Sequence, residues 1–591
     1  MLATPHTGAA GRETVISSMA HRYDETGPVA VPMMSMLGRV LPAVCTALLL
    51  GFPTPVAADP GYTVQTLHFA VTIGPADDVA CDIVGDLYVP AGVSADNRTP
   101  AVLMTHGFNK TKDNLVATAA MLADAGYVVL AYSGLGFGGS GCTISMDSRD
   151  YDGKAASQLT GFLGGTPGVA YSDAAHRFPI APLDLVTLDD AASHDPRLGM
   201  IGSSYGGQVQ FAAASIDRRI DALIPLDTWH DLSVALAPNG AANGLPGAAK
   251  LTWILGLSGV GAIAPGVSGY AADPARAAAC PNFTPVICSI VGDAIGRGYP
   301  SPEQSDILRS VSVATYADRI TVPVLLLQGQ ADSLFDLAQA RATYDALERN
   351  GTETKMIWHR SGHSDTTTGD GAVELAHAGR ILAWFDRYLR GLAVDTGPEF
   401  AYYRDWADDG VSSTVDVGDP VQFYLAPGGT LAEHADVTTG TQTFTTAPDG
   451  LPTGVGPLDP RPAIPVPTVA VPGTFVTWTG PPRTVPLDVV GAPHLHVTVD
   501  APSTVVFVKL YDVAPDGTAQ LINGHVAPAR TEPGTPRLDV TMPPIVHRFD
   551  AGHSVRLEIA GGDLNFRGGP TAERVVVGAG PDQILTLPVT P

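Results

Sequence analysis

"GMIGSSYGGQVQ", Gly199–Gln210, places two serines among glycines directly after an apolar run. It fits G-x-S-x-G in one frame only, Gly202-Ser203-Ser204-Tyr205-Gly206, so Ser204 is the central serine and Ser203 a spacer. The pattern carries chemistry only when a strand precedes it and a helix follows, because the sharp turn between them is what exposes the hydroxyl. Here "RLGMIGS" (197–203) reads as a strand and "GQVQFAAASI" (207–216) as a helix. Such a turn is strained and crowds its neighbours, which accounts for the small residues around it. A plain glycine-rich turn is the alternative; the strand and helix on either side favour a nucleophile.

The same alternation extends outward from this turn. "PAVLMTHG" (100–107), "VVLAYS" (128–133), "IDALIPLD" (220–227), "VPVLLLQGQAD" (322–332) and "TKMIWH" (354–359) are buried-strand runs. "NLVATAAMLADAGY" (114–127), "LDLVTLDDAASHD" (183–195) and "DLAQARATYDALERNG" (336–351) have helical spacing. Continuous apolar strands separated by helices predict a parallel sheet covered on both faces. Between about 228 and 319 the alternation breaks into an Ala-, Gly- and Pro-rich stretch holding "AAKLTWILGLSGVGAIA", which reads as a helical lid over the sheet. After about Ser413 the helical signal ends. "PVQFYLAP", "HLHVTVDA", "TVVFVKLYDV", "RLDVTMP" and "SVRLEIAG" alternate with turn residues, as in a β-sandwich or jelly roll. The Pro-rich "PLDPRPAIPVPTVAVPG" (457–473) is an extended connection within it. The expected domains are a leader at 1–58, an α/β-hydrolase fold at 59–412 and the all-β domain at 413–591.

A serine hydroxyl needs a general base at neutral pH. In this fold the acid and base follow the serine in chain order, each just past a late strand. "LLLQGQADSLFD" supplies Asp332 and "MIWHRSGHSD" supplies His363. Asp332 would fix the imidazole tautomer and stabilise its charged form, and His363 would take the Ser204 proton. Asp336 competes with Asp332 but falls at the start of a helix, and His359 competes with His363 but falls on the strand. An oxyanion needs two backbone N–H donors. These are assigned to Tyr205, after the nucleophile, and to Phe108, after the "HG" turn; His106 in that turn reads as structural. Trp229 and Trp253 would shape the substrate pocket. Gly134-x-Gly136-x-x-Gly139 matches a dinucleotide pattern, but it opens the polar "CTISMDSRDYDGK" rather than a helix, and no second nucleotide-binding unit follows. A flexible loop beside the active site is the expectation, and no cofactor is required.

The chain has 591 residues, 45% hydrophobic and 16% charged, which suits two or three globular domains. Its formal charge of -25 is spread along the chain, repels phosphate backbones and argues against nucleic acid as a partner. Arg39, the apolar "VLPAVCTALLLGFPTPV" and "VAA" ending at Ala58 form a secretory signature, with Met33, Met34 and Met36 as alternative starts. That run is too short and proline-rich to span a membrane, and Cys45 within it fits no lipobox. Past the leader stand Cys81, Cys142, Cys280 and Cys288, an even count that suggests two disulfides in an exported chain. Cys280 and Cys288 are close enough for a small-loop bridge, which leaves Cys81 with Cys142. No C-x-x-C or clustered histidine suggests a metal.

Taken together, "HGF", "GLGFGGSG", "IGSSYGG", "QGQADSLFD" and "SGHS", followed by a β-domain, resemble X-prolyl dipeptidyl-peptidase and bacterial cocaine esterase-type hydrolases. "VKLYDVAPDGTAQLINGHVAPAR" and "FDAGHSVRLEIAGGDLNF" are similar to that family's non-catalytic jelly-roll domain. The resemblance implies Ser204, Asp332 and His363 as a catalytic triad acting on a small ester or peptide. It also implies a tyrosine hydroxyl at the oxyanion, where this chain has Phe108 in "HGFNKTK". The lid acid that would hold a peptide's free amine has only Asp227, Asp231 and Asp273 as candidates. The expectation is therefore a secreted esterase, with X-prolyl dipeptidyl-peptidase as the alternative. A non-catalytic carbohydrate- or cell-wall-binding protein is the third reading.

Overall fold

The computed structural model describes residues 61–241, 243–365, 369–447 and 471–590. The leader, including Cys45, and most of the Pro-rich connection lie outside the described residues.

Eleven strands build the first sheet among the described residues, ten of them labelled here: β1 Tyr62–Ile73, β2 Val79–Pro90, β3 Ala101–Thr105, β4 Val128–Tyr132, β5 Leu198–Ser203, β6 Ala222–Leu226, β7 Val324–Gly329, β8 Thr354–His359, β9 Phe400–Tyr402 and β10 Gly410–Ser412. Their spatial order is β10-β9-β8-β7-β6-β5-β3-β4-β2-β1, with the two-residue strand Ala170–Tyr171 at the far edge. From β4 through β3 to β9 the pairings are parallel, while β1, β2 and β10 pair antiparallel at the margins. The residues of β3, β4, β6 and β7 are all buried, as continuous apolar runs in a two-sided parallel sheet demand. Chain order reverses between β3 and β5. At that switch point the carboxyl ends of neighbouring strands open a crevice where ligands bind in such sheets.

The helices covering the sheet include α1 Val116–Asp124, α2 Lys154–Leu163 and α3 Tyr205–Ala214. The sequence places a helix at 183–195 instead of α2, and the structure corrects this. Residues Leu188–Asp190 form a short ladder with Asp195–Pro196. There the Asp190 carboxylate accepts the Ala192 N–H at 2.9 Å and the Ser193 hydroxyl at 2.7 Å, a local alternative to helical bonding. The crossover from β4 to β5 is carried by α2, which buries Ala155, Ala156, Leu159, Phe162 and Leu163.

Between β6 and β7 lie α4 Leu232–Leu236, α5 Leu251–Ile263, α6 Gly266–Ala272, α7 Pro285–Gly296 and α8 Pro302–Ser310. These helices interrupt the strand-helix alternation between β6 and β7. Further on, α9 Leu337–Arg349, α10 Ala372–Ala376 and α11 Ala378–Arg390 complete the helices. From Asp419 onward every element is a strand, thirteen among the described residues. These enclose their own core around Phe423, Trp478, Leu510, Leu557 and Leu585.

Candidate active site

Ser204 sits between the end of β5 and the start of α3, at φ 60 and ψ -115. For a residue with a side chain this conformation costs on the order of 1–3 kcal/mol, so its surroundings must hold it. The Ser204 N–H donates to Leu226 O at 2.8 Å, and Ser204 O accepts from Thr228 Oγ1 at 2.9 Å and from the Gly207 N–H at 2.9 Å. The glycines are needed for space. A Cβ on Gly202 would stand 2.6 Å from Thr105 O, and one on Gly206 would meet the same oxygen.

Asp332 follows β7 and His363 follows β8, and both reach the elbow. His363 Nε2 is 2.8 Å from Ser204 Oγ, and His363 Nδ1 is 2.6 Å from Asp332 Oδ2. Asp332 is fully buried; its other oxygen accepts the N–H groups of Leu334 at 3.0 Å and Phe335 at 2.8 Å. With Asp332 as acceptor, Nδ1 carries the ring proton and Nε2 faces the serine with its lone pair. Burial opposes the charged imidazolium, but the charge and hydrogen bond of Asp332, with help from Asp227, leave the His363 pKa raised above its ordinary value.

The competing residues have other tasks. Asp336 caps α9, accepting the Ala338 N–H at 2.9 Å. His359 is buried with Nε2 3.1 Å from Asp227 Oδ1. Asp227, just past β6, also accepts the Gly329 N–H at 2.8 Å. Burial alone would push its carboxyl up, yet His359 holds it below the ordinary range. Asp231 caps α4 and pairs with Arg309 at 2.7 Å, and Asp273 caps the short helix Pro274–Ala277. None of these acids stands in the lid unengaged. His106 Nε2 accepts the Gly134 N–H at 3.0 Å and Nδ1 donates to Gly107 O at 2.8 Å, a neutral bridge between two turns. Burial pulls its pKa down to about 4.

Tyr205 begins α3, so its N–H has no carbonyl one turn back in the helix. Neither it nor the Phe108 N–H donates to a backbone carbonyl among the described residues. The Phe108 ring packs edge-on to Phe137 and Tyr205 and stacks on Phe283, bringing no hydroxyl. The Gly134–Gly141 loop is not the free loop the sequence suggests. Arg276 donates to Ser140 O and Cys142 O, and Asn282 donates to Gly136 O, which fastens it behind the site. The disulfides are Cys81–Cys142 and Cys280–Cys288.

A cavity of about 500 Å³ opens over Ser204 and His363. Its lid-side wall is apolar and includes Trp229, Leu232, Trp253, Ile254, Leu257 and Phe283. Trp253 also donates its indole N–H to Ser333 Oγ at 3.0 Å, and Ser333 Oγ lies 2.7 Å from Ser364 Oγ, tying the lid to the loops that carry Asp332 and His363. The opposite wall is polar, with Lys110, Asn114, Asp370 and Glu374. That wall, the serine chain and the Asp227–His359 pair escape the sequence reading, because nothing in their spacing announces them. The sequence offers Asp227 only as a candidate lid acid and His359 only as an alternative base; "LDTW", an acid directly after a strand, is the signal for a place at the sheet's end.

The model of the X-Pro dipeptidyl-peptidase (S15) family matches residues 80–365, and that of the X-Pro dipeptidyl-peptidase C-terminal non-catalytic domain matches residues 395–572. The chain belongs to this family. It is accordingly an S15-type serine hydrolase with an α/β-hydrolase domain and a β-rich C-terminal domain, and the non-catalytic reading falls. A curated relative, the uncharacterized peptidase YuxL of Bacillus subtilis (strain 168), is 30% identical over 88 residues, 15% of this chain. The match spans 13% of that relative's length. Among solved structures, an aminopeptidase from a marine sediment Thaumarchaeota archaeon superposes with TM-score 0.63 at 14% identity, covering 91% of this chain and 98% of that one. An α-amino acid ester hydrolase gives 0.60 at 18% identity, covering 92% and 99%. A CocE/NonD family hydrolase of Staphylococcus aureus gives 0.60 at 13%, covering 92% and 100%. These likenesses concern the fold.

Proposed function

We propose that this S15-family protein is an exported esterase for carboxylic esters with an apolar acyl group, using Ser204 as nucleophile, His363 as general base and Asp332 as its orienting acid. Ser204 Oγ attacks the ester carbonyl while its proton passes to His363 Nε2. The carbonyl oxygen becomes an oxyanion facing the Tyr205 and Phe108 N–H groups. His363 returns the proton to the leaving alkoxide oxygen, and the acyl group stays on Ser204. A water then loses a proton to His363 and attacks the acyl carbon, and the acid leaves as Ser204 regains its hydrogen.

The observation that carries the ester preference is the lid-side wall: its lining contains no carboxylate to hold a substrate's free amine. The secretory signature and two disulfides support export to an oxidising compartment. X-prolyl dipeptidyl-peptidase activity is the second reading, favoured by Asp370 and Glu374 on the opposite wall. Assay of chromogenic Xaa-Pro amides beside aryl esters of increasing acyl length separates the two. We expect ester turnover that improves with acyl length; amide turnover at comparable kcat/KM would reverse the assignment.

A further inference from the structure

The lid helix α5 has two apolar faces, and only one serves the cavity. Trp253, Ile254, Leu257 and Val260 line the chamber over Ser204. Leu255, Gly259 and Ile263 lie on the other side, where Leu255 is 45% and Ile263 71% exposed. The face continues onto α6, set at 61° to α5, with Val267 90% exposed. No charged side chain occurs from Leu251 to Ala272. The hydroxyls of Ser258 and Tyr270 are turned back onto Ile254 O and Ala262 O. Single exposed apolar residues are ordinary on a protein surface; a charge-free run of them on the reverse of a helix that lines an apolar chamber marks an interaction site.

We infer that this outer face docks onto the surface of an insoluble, uncharged ester phase, so that substrate passes from an aggregate into the chamber along the same helix. The charge pattern selects this occupant. Helices that bind anionic bilayers carry Lys or Arg on their polar face, whereas this face has none. The chain's net charge of -25 also repels an anionic surface. An uncharged apolar surface is the one that complements the patch.

The inference rests on the ester reading above, and its test keeps the two apart. The rate on a short-chain triacylglycerol is followed through its solubility limit, beside the rate on a fully dissolved aryl butyrate. The intact chain should show a sharp upward break once droplets form. Ile263→Asp and Val267→Asp, and the milder Leu255→Ser, should keep the dissolved-ester rate and lose the break. Flotation of the Ser204→Ala protein with droplets should retain binding, and adding Val267→Asp should abolish it. Smooth saturation through the solubility limit with dissolved ester still cleaved overturns the docking inference. So does a patch variant that lowers both rates equally, or self-association by light scattering that Val267→Asp removes, which would assign the face to a second copy. If no ester is cleaved in any form, the ester reading fails, and flotation of the Ser204→Ala protein still decides the docking.

Discussion

At the scale of single residues the proposed chemistry depends on three side chains from three strand ends, and each makes a separate prediction. Ser204→Ala removes the nucleophile. It should cost about a millionfold in kcat, by analogy with other serine hydrolases, and should end labelling by a fluorophosphonate. Asp332→Asn leaves the loop's packing in place but lets His363 adopt the wrong tautomer, and kcat should fall about 10⁴-fold. Its pH profile is more diagnostic. His363 must be neutral to accept the serine proton, and its pKa is raised above the ordinary value. Activity should therefore be full at higher pH and disappear as the pH falls through that raised pKa. Asp227 adds to the same elevation from across the β7 strand. Asp227→Asn should move the acid limb of kcat/KM to lower pH while sparing kcat at high pH; an unmoved limb would remove Asp227 from the site's electrostatics. The positions of Ser204, Asp332 and His363 were legible in the sequence because each ends a strand run in a fixed chain order. The Asp227–His359 pair was not, since it exists only because β6 and β8 flank β7 in space.

At the scale of elements, the strands and most sheet-covering helices were legible because a parallel sheet imposes long apolar runs and its helices one apolar stripe. The exception at 183–195 is instructive: apolar spacing there lost to Asp190, which caps its own turn. The lid was legible only as an apolar stretch, because α5 is apolar on both sides and has no stripe to orient it. Covalent links were legible through the cysteine count and behave as elements of their own. Cys81–Cys142 joins β2 to the segment after the Gly-rich loop across a separation of 61 residues, and Cys280–Cys288 closes 8. On a loop-entropy basis the first contributes about 4 kcal/mol and the second about 2.5 kcal/mol. Replacing Cys81 and Cys142 together by alanine should lower the urea midpoint more than replacing Cys280 and Cys288. The second replacement should act on the lid, showing as faster hydrogen exchange in α7 with the sheet unchanged. Equal losses from both would mean that the short loop is under the same constraint as the long one.

At the scale of the whole molecule, the β-rich domain grips the root of the lid. The Gly240 N–H donates to Pro528 O at 2.7 Å, and the Thr541 N–H donates to Gly240 O at 3.0 Å, so the segment leading into α5 is bonded to strands of the C-terminal domain. Arg530 donates to Pro246 O at 2.6 Å and Gly247 O at 3.2 Å, and its guanidinium lies 4.7 Å from the Tyr299 ring centre. Arg567 reaches Ile295 O at 3.0 Å, at the end of α7. α5 and α7, two of the helices whose residues line the apolar wall, are thus fastened where they approach the second domain, and we propose that this grip sets the shape of the substrate-binding wall. Arg530→Ala removes two charge-assisted bonds and a cation–π contact, worth about 2–3 kcal/mol of local stability. The serine, histidine and aspartate stand on the sheet and should be untouched. The expected result is a raised KM for long-acyl esters, an almost unchanged kcat and faster hydrogen exchange across 238–263, while fluorophosphonate labelling saturates as before. Arg530→Lys, which keeps the charge but loses the planar fork, should recover only part of the KM. A fall in kcat at constant KM would instead mean that the C-terminal domain acts through the loops carrying Asp332 and His363.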